Sequence, residues 1–179
     1  MLTIIQSTTA APTVELSSPT AIFNSSQNWD DNLAWRVMPF PINLCGFNFT
    51  NVTVSTNGVL GYGITNSYSP AALPQYTALS PSGYAVLPFW ADLYISQGTA
   101  QGIYYQIDGS TPSRTLTFEY YASYYNRTAN YYHFQTLFYE NNTGSFTFTY
   151  FNITDSGANA VVGYQCQPSK SGACLDSLS

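Results

Sequence analysis

Charge is the property this sequence has least of. Only 7% of its 179 residues are charged, and Lys and Arg together number four, whereas soluble domains commonly carry about 25% charged residues. The four basic residues are scattered along the chain at Arg36, Arg114, Arg127 and Lys170. Proteins that bind nucleic acid need clustered Lys and Arg to displace counterions from phosphates. With a net charge of −5, the composition therefore excludes nucleic acid as a partner.

Long apolar runs are missing as well. No stretch of the sequence approaches the roughly 20 apolar residues of a membrane-spanning helix, so we expect no membrane insertion. Residues 1–7 have neither the basic start nor the long apolar core of a signal peptide. If the chain is secreted, its signal has been removed or lies outside this numbering.

Cysteine and histidine are also scarce, with three and one in the whole chain. There is no C-x-x-C pair, so no residues have the spacing of metal ligands, and we expect neither a metal nor a cofactor. Cys166 and Cys174 bracket a turn-rich loop, and a disulfide between them is the favoured pairing. Cys45 would then be a small buried apolar residue. The alternative is a Cys45–Cys166 disulfide, if their strands are neighbours.

Aromatic residues, in contrast, reach 17% of the chain, and sixteen residues are tyrosine. Aromatic and β-branched side chains fit the pleated, half-buried surface of a sheet. Eight or nine short strand-like segments separated by turn residues predict one all-β domain over residues 21–179, an antiparallel β-sandwich or jelly roll. The clearest strands are predicted at residues 35–44, 52–56, 59–63, 84–90, 102–107, 116–120, 132–140, 145–151 and 160–166. Asn57-Gly58 is a hairpin turn signal, and Pro39 and Pro41 restrict the first of these strands to a sheet edge or to an irregular strand.

Residues 1–20 differ from the rest of the sequence, since they contain no Gly and a single charge, at Glu15. This composition predicts an extended N-terminal arm. A nearly uncharged, strand-competent segment can add a strand to the sheet edge of a neighbouring subunit, and such a head-to-tail contact generates a filament if it does not close into a ring. The apolar anchors of the arm would be Leu2, Ile4, Ile5, Val14 and Leu16. The alternative is that the arm pairs with its own domain.

Six Asn-x-Ser/Thr sequons, about twice the number expected by chance, offer another source of solubility. They lie at Asn24, Asn48, Asn51, Asn126, Asn141 and Asn152. A glycan on such a residue is bulky and solubilising if the chain is secreted, so N-linked glycans are expected at several of them. Asn48 and Asn51 are three residues apart and would point to opposite faces of a regular strand. Both can carry sugar only if this stretch is a loop, a bulge or an exposed edge.

Candidate catalytic residues are few. Asp92 and Glu119 are the carboxylates that we expect to be partly buried, and two carboxylates beside an aromatic groove are typical of glycoside hydrolysis. The simpler interpretation is that Asp92 holds a turn and Glu119 faces solvent. His133 has no nucleophile in an elbow motif nearby, which favours an exposed strand position over a catalytic triad. We therefore predict no catalytic residues and no enzymatic activity.

Binding of surface carbohydrate is the alternative function. Tyrosine pairs at residues 120–121, 124–125 and 131–132 offer flat apolar rings with a polar tip, although one ring of each pair would face the core of a strand layer. A calcium-dependent sugar site needs a cluster of carboxylates. Asp30-Asp31 is the only adjacent acidic pair.

The segment Phe47–Gly63, in which Ser-Thr-Asn-Gly separates two strands, resembles nidogen-like (NIDO-type) extracellular β domains. The run Leu87-Pro-Phe-Trp-Ala-Asp-Leu93 is similar to a signature of the same family, and three further similar segments follow in the family's order, at residues 102–105, 115–121 and 134–140. The resemblance covers about residues 37–166. It implies an extracellular module of adhesive, matrix or surface-assembly proteins, with no catalytic residues to carry over.

Taken together, these patterns predict a secreted, glycosylated structural subunit. We expect it to assemble head to tail with copies of itself, as a filament or surface layer, through the N-terminal arm. A monomeric cell-surface adhesin that binds carbohydrate is the alternative.

Overall fold

The fold is built almost entirely from β-strands. A computed structural model describes residues 14–73 and 79–166, together with the backbone of residues 2–6. Within these residues the strands are β1 (Leu2–Gln6), β2 (Thr20–Asn24), β3 (Trp29–Asp30), β4 (Leu33–Leu44), β5 (Phe47–Ser55), β6 (Leu60–Gly61), β7 (Ala85–Trp90), β8 (Leu93–Ile95), β9 (Gly102–Asp108), β10 (Thr115–Tyr124), β11 (Arg127–Tyr139), β12 (Phe146–Ile153) and β13 (Val161–Gln165). One turn of 3₁₀ helix, Glu140–Asn142, joins β11 to β12, and no α-helix occurs in the described ranges. The all-β prediction is confirmed.

The strands form two sheets. The larger, sheet A, has the order β1-β12-β11-β10-β8-β3, and β9 also pairs with β10 and with β2. The smaller, sheet B, has the order β13-β7-β6-β5-β4. β1 pairs parallel with β12, whereas the other described pairs are antiparallel. Neither sheet closes into a barrel, and the predicted β-sandwich is confirmed.

Aromatic rings fill much of the space between the sheets. The ring of Phe89 on β7 lies 4.5 Å, centroid to centroid, from the ring of Tyr132 on β11, which joins the two layers. Within sheet A the rings of Tyr120 and Phe134 stack at 4.8 Å. Such pairs add roughly 0.5–1.5 kcal/mol each beyond the area that they bury. The high aromatic content is therefore, in large part, core packing.

Turn chemistry and strand edges follow the sequence pattern closely. β4 is the edge strand of sheet B, and its pairing with β5 shifts register between Val37 and Ile42, around the two prolines. Gly58 has a φ of +71°, and a Cβ at this position would overlap the carbonyl oxygen of Phe89. The turn before β6 therefore needs glycine. The short strands β2, β3 and β8 were not predicted from the sequence. Segments of 5, 2 and 3 residues are too short for a recognisable alternation of apolar and polar residues.

The disulfide joins Cys45 to Cys166. The favoured Cys166–Cys174 pairing is therefore wrong, and Cys45 is not a free buried thiol. Cys45 follows β4 and Cys166 follows β13, the strands at the two ends of the sheet B order. Their Cα atoms are 6.2 Å apart although 121 positions separate them in sequence, so no local spacing could reveal the pair. Cys174 lies outside the described residues.

Candidate functional site

Strand β1 lies on the edge of sheet A, beside β12. The register runs Leu2–Phe146, Thr3–Thr147, Ile4–Phe148, Ile5–Thr149 and Gln6–Tyr150. Leu2 and Ile4 thus stand opposite Phe146 and Phe148, two buried core residues. Within the single chain, this part of the arm pairs with its own domain, which is the alternative left open by the sequence. The side chains of Leu2, Ile4 and Ile5 are outside what the structure describes.

The second part of the arm crosses sheet A and is held there by its main chain. The N–H groups of Glu15 and Leu16 donate to Oε1 and Oε2 of Glu119, at 2.7 and 3.0 Å. The N–H of Ser18 donates to Oε1 of Gln106 at 2.7 Å. The two predicted anchors in this part are partly buried: Val14 and Leu16. Two neighbouring strands, β10 and β9, thereby supply the side chains that bind the arm.

Glu119 is the centre of a buried polar cluster. Its side chain is 0% exposed, and that of His133 is 2% exposed. Nε2 of His133 donates to Oε1 at 2.6 Å, and Nε2 of Gln135 donates to Oε2 at 3.1 Å. With the two N–H groups of the arm, four donors reach the carboxylate, two at each oxygen. An ionised carboxylate accepts at about four lone-pair sites, so its acceptor capacity is filled. We call Glu119, His133 and Gln135 the Glu119 cluster.

Strand alternation explains where this cluster lies. Phe118 and Tyr120 point into the core, so Glu119 between them points to the opposite face of sheet A. The expectation that Glu119 faces solvent and that His133 is exposed is wrong. The arm covers Glu119, and the ring of Phe151 lies 4.6 Å from that of His133. Burial of these polar groups is tolerable because each is hydrogen-bonded.

Two half-buried tyrosines, Tyr104 and Tyr121, lie beside the cluster. Burial, and then the negative charge of Glu119, raise the pKa of Tyr104 above its usual value. The ring of Tyr121 lies 5.8 Å from that of His133. The cluster is thus a carboxylate held by fixed donors under an aromatic and main-chain cover. Its chemical capacity is to bind adjacent main-chain N–H groups of an extended segment.

Three carboxylates meet at a second place, beside β3 and β8. Each of Asp30, Asp31 and Asp92 contributes one carboxylate oxygen, and these three oxygens lie within 4.8 Å of one another. Desolvation, followed by the negative charges of Asp30 and Asp31, raises the pKa of Asp92 to about 6. Carboxylate oxygens are ligands that Ca²⁺ prefers, so these are the residues that would hold a divalent cation. The sequence pattern showed Asp30 and Asp31 as a pair but had no signal for Asp92, which only the fold brings to them.

The sequon asparagines are on the surface. Four are exposed: Asn24, Asn48, Asn126 and Asn141. Two are partly exposed: Asn51 and Asn152. On β5 the buried residues Phe49 and Val52 are three apart, so the alternation changes phase between them. Asn48 and Asn51 can therefore both face outward, which is the irregular geometry that two glycans so close in sequence require.

The tyrosine pairs divide between core and surface. Tyr120 and Tyr132 are fully buried, whereas Tyr125 is 38% exposed. A more exposed ring is one that the sequence pattern did not single out: Trp35 of the edge strand β4 is 57% exposed. It stands between Leu33 and Val37, which are also exposed. β4 thus presents an apolar stripe to solvent.

Comparison with known proteins identifies the family. No helix within the described residues is long and apolar enough to span a bilayer. The family model described as NIDO related matches residues 5–177. No curated protein and no solved structure matches the chain. The match covers nearly the whole sequence, including most of the arm, and confirms the resemblance of residues 47–63 and 87–93. The chain belongs to the NIDO-related family.

Proposed function

We propose that this chain is a secreted, N-glycosylated structural subunit that assembles head to tail, with β1 of one copy occupying the β12 edge of the next. The observation that carries the proposal is the parallel pairing of β1 with β12 at the edge of sheet A. β1 is five residues long, is the first strand that the structure describes and lies at one end of the sheet A order. Among the described strand pairs β1 takes part only in the pair with β12, so it can leave and be replaced without disturbing another of them.

Exchange of β1 between copies preserves its contacts. The same register with Phe146 and Phe148 forms whether the strand comes from the same chain or from another. Exchange of an identical element is a low-cost route to oligomers, and a head-to-tail exchange that does not close produces a filament. Pairing within one chain competes through its high effective concentration. Assembly by this route is therefore expected to depend strongly on protein concentration.

Three further features support an extracellular structural role. Disulfides such as Cys45–Cys166 persist in oxidising compartments. The exposed sequons provide sites for solubilising glycans on a surface with few charges. The motifs at residues 47–63 and 87–93 resemble those of nidogen-like domains, and this resemblance implies an adhesive, matrix or surface-assembly protein.

A structural rather than catalytic role also fits the Glu119 cluster. A general base needs a lone pair directed at the proton that it removes. In this chain both oxygens of Glu119 already accept two hydrogen bonds each. The buried Glu119–His133 pair is therefore better suited to holding a segment of chain than to acid–base chemistry.

Light scattering of the secreted chain over a range of concentrations tests the proposal. A variant in which residues 1–6 are replaced by Gly and Ser keeps the length of the chain and retains Glu15 and Leu16, but it lacks the strand-forming residues of β1. The parent should grow in mass with concentration, while the replacement variant should stay monomeric. Equal masses for the two proteins at every concentration would contradict the proposal.

A monomeric carbohydrate-binding adhesin remains the second candidate, and the exposed stripe on β4 favours it. An exposed indole such as that of Trp35, 57% accessible, offers an apolar face on which a sugar ring can pack. On a glycan array, Trp35→Ala would abolish binding, whereas Tyr68→Ala, which removes another exposed ring, would not. The adhesin function fails if the parent chain binds no glycan.

A further inference from the structure

The arm is attached to the domain at two places of different character. β1 is held through the edge of sheet A, by a ladder to one strand. Residues 15–18 are held near the middle of the same sheet, by side chains of β10 and β9. If subunits exchange the arm, either the whole arm passes to the neighbouring subunit or only β1 does.

The attachment at residues 15–18 is the harder one to break. Glu119 is fully buried, and removal of Glu15 and Leu16 would take away two of its four donors. A buried charge that loses its partners is strongly destabilised. The bonds to Gln106 reinforce the attachment, since its Nε2 also donates to Oγ of Ser17 at 3.2 Å. Hydrogen bonds to the ionised carboxylate are also stronger than the neutral bonds of a strand ladder.

The chain that follows is fixed to the same sheet. β2 begins at Thr20 and pairs with β9 over residues 20–24. Release of residues 15–18 to another subunit would therefore strain the chain directly before an anchored strand. β1, in contrast, is separated from Val14 by residues 7–13. These eight peptide links span at most about 29 Å when fully extended.

From this arrangement, and resting on the proposed function, we infer that Glu119 and Gln106 act as a clamp that keeps residues 15–18 on their own subunit. Only β1, Leu2–Gln6, passes to the next copy. The clamp then sets the geometry of assembly, because the β12 edge of the acceptor must lie within about 29 Å of Val14 of the donor. The interaction surface is the β12 edge, and its partner is β1 of a second copy of this chain.

Cross-linking with a short bis-maleimide separates the two attachments. All variants carry Cys174→Ser, so that the native disulfide is the only other cysteine pair. The first pair, Ile5→Cys and Thr149→Cys, reports on β1, because these positions are register partners. The second pair, Ser17→Cys and Asp108→Cys, reports on the clamp, because both native side chains meet Nε2 of Gln106. Each pair is tested as a mixture of two single variants and as one double variant.

The clamp predicts different results for the two pairs under assembling conditions. Mixed single variants should cross-link between chains at Ile5 and Thr149, whereas Ser17 and Asp108 should cross-link only within the double variant. Cross-links between chains at both pairs would overturn the clamp and leave the proposed assembly intact. No cross-link between chains at the first pair would overturn the proposed assembly, and the clamp role with it.

A substitution in the clamp provides an independent readout. In the Ser17→Cys/Asp108→Cys chain, Glu119→Gln should lower the yield of the internal cross-link roughly tenfold, since the amide no longer accepts from both arm N–H groups. Glu140→Gln is the matched control, because this carboxylate pairs with Arg114 at 2.6 Å, elsewhere on the domain. An unchanged yield in a folded Glu119→Gln variant, judged by its retained circular dichroism spectrum, would contradict the clamp.

Discussion

The Cys45–Cys166 disulfide makes a quantitative prediction about stability. It closes a loop of 121 positions. In the chain-entropy model, closing a loop of this length removes about 16 cal/mol/K from the unfolded chain, or about 5 kcal/mol at 25 °C. We therefore expect the double variant Cys45→Ala/Cys166→Ala to lose about 5 kcal/mol of unfolding free energy. That is a large part of the 5–15 kcal/mol typical of a domain.

Equilibrium unfolding in urea measures this loss. The background should be the variant with residues 1–6 replaced by Gly and Ser, so that assembly does not add to the measured stability. Cys174→Ala is the control and should leave the unfolding free energy unchanged. A Cys166–Cys174 bridge would close only eight positions and contribute about 2.5 kcal/mol in the same model. If Cys174→Ala destabilised the chain by that amount and Cys45→Ala had no effect, the pairing and the reasoning from it would be refuted.

Three further substitutions test the buried cluster, the acidic group and the hairpin. Glu119→Gln should cost about 3–5 kcal/mol, measured in urea, because it leaves buried donors unpaired; a loss below about 1 kcal/mol would contradict the burial of a charged centre. The folded chain binds the Asp92 proton more tightly than the unfolded chain, since burial and two acidic neighbours raise this pKa from 3.8 to about 6. Wild-type stability should therefore fall as pH rises from about 4 to about 6. Asp92→Asn should flatten that slope and add at most about 1 kcal/mol at pH 7, since solvent screens this partly exposed group; an unchanged slope would disprove the attribution. Gly58→Ala should cost at least about 3 kcal/mol in thermal unfolding, because its Cβ meets the carbonyl of Phe89. Gly98→Ala, at a similar φ of +74° but with open space around it, should cost only about 1–2 kcal/mol; equal losses would show that the close contact does not matter.

The strand layout was predictable because its signals are local. The strand predicted at residues 145–151, the Asn57-Gly58 turn and the two prolines of β4 each depend on signals within a few residues, and the structure has a strand, a hairpin and an edge strand at these places. The position of β4 at a sheet edge follows from proline's missing N–H. Pairing of β1 with its own sheet was one of two predictions for the arm. A single sequence does not show whether the sheet edge that β1 joins belongs to the same chain or to another copy.

The Glu119 cluster and the disulfide were not predictable from the same signals. Glu119 lies between two core aromatics, so alternation places it on the outer face, and an outer face normally meets solvent. Its burial depends on an arm more than a hundred positions away in sequence. The sequence does show that Glu119, one of only nine acidic residues, lies within a strand of aromatic residues. Its position opposite Gln135 and near His133 follows only once β10 and β11 are paired. That pairing is a property of the fold rather than of either segment.

Negative-stain electron microscopy tests the central claim, head-to-tail assembly through β1, most directly. The secreted, glycosylated chain is imaged at high concentration beside a version that lacks residues 1–6 and is otherwise identical. The account predicts filaments from the first and isolated particles from the second. Isolated particles from both, or filaments from both, would contradict it.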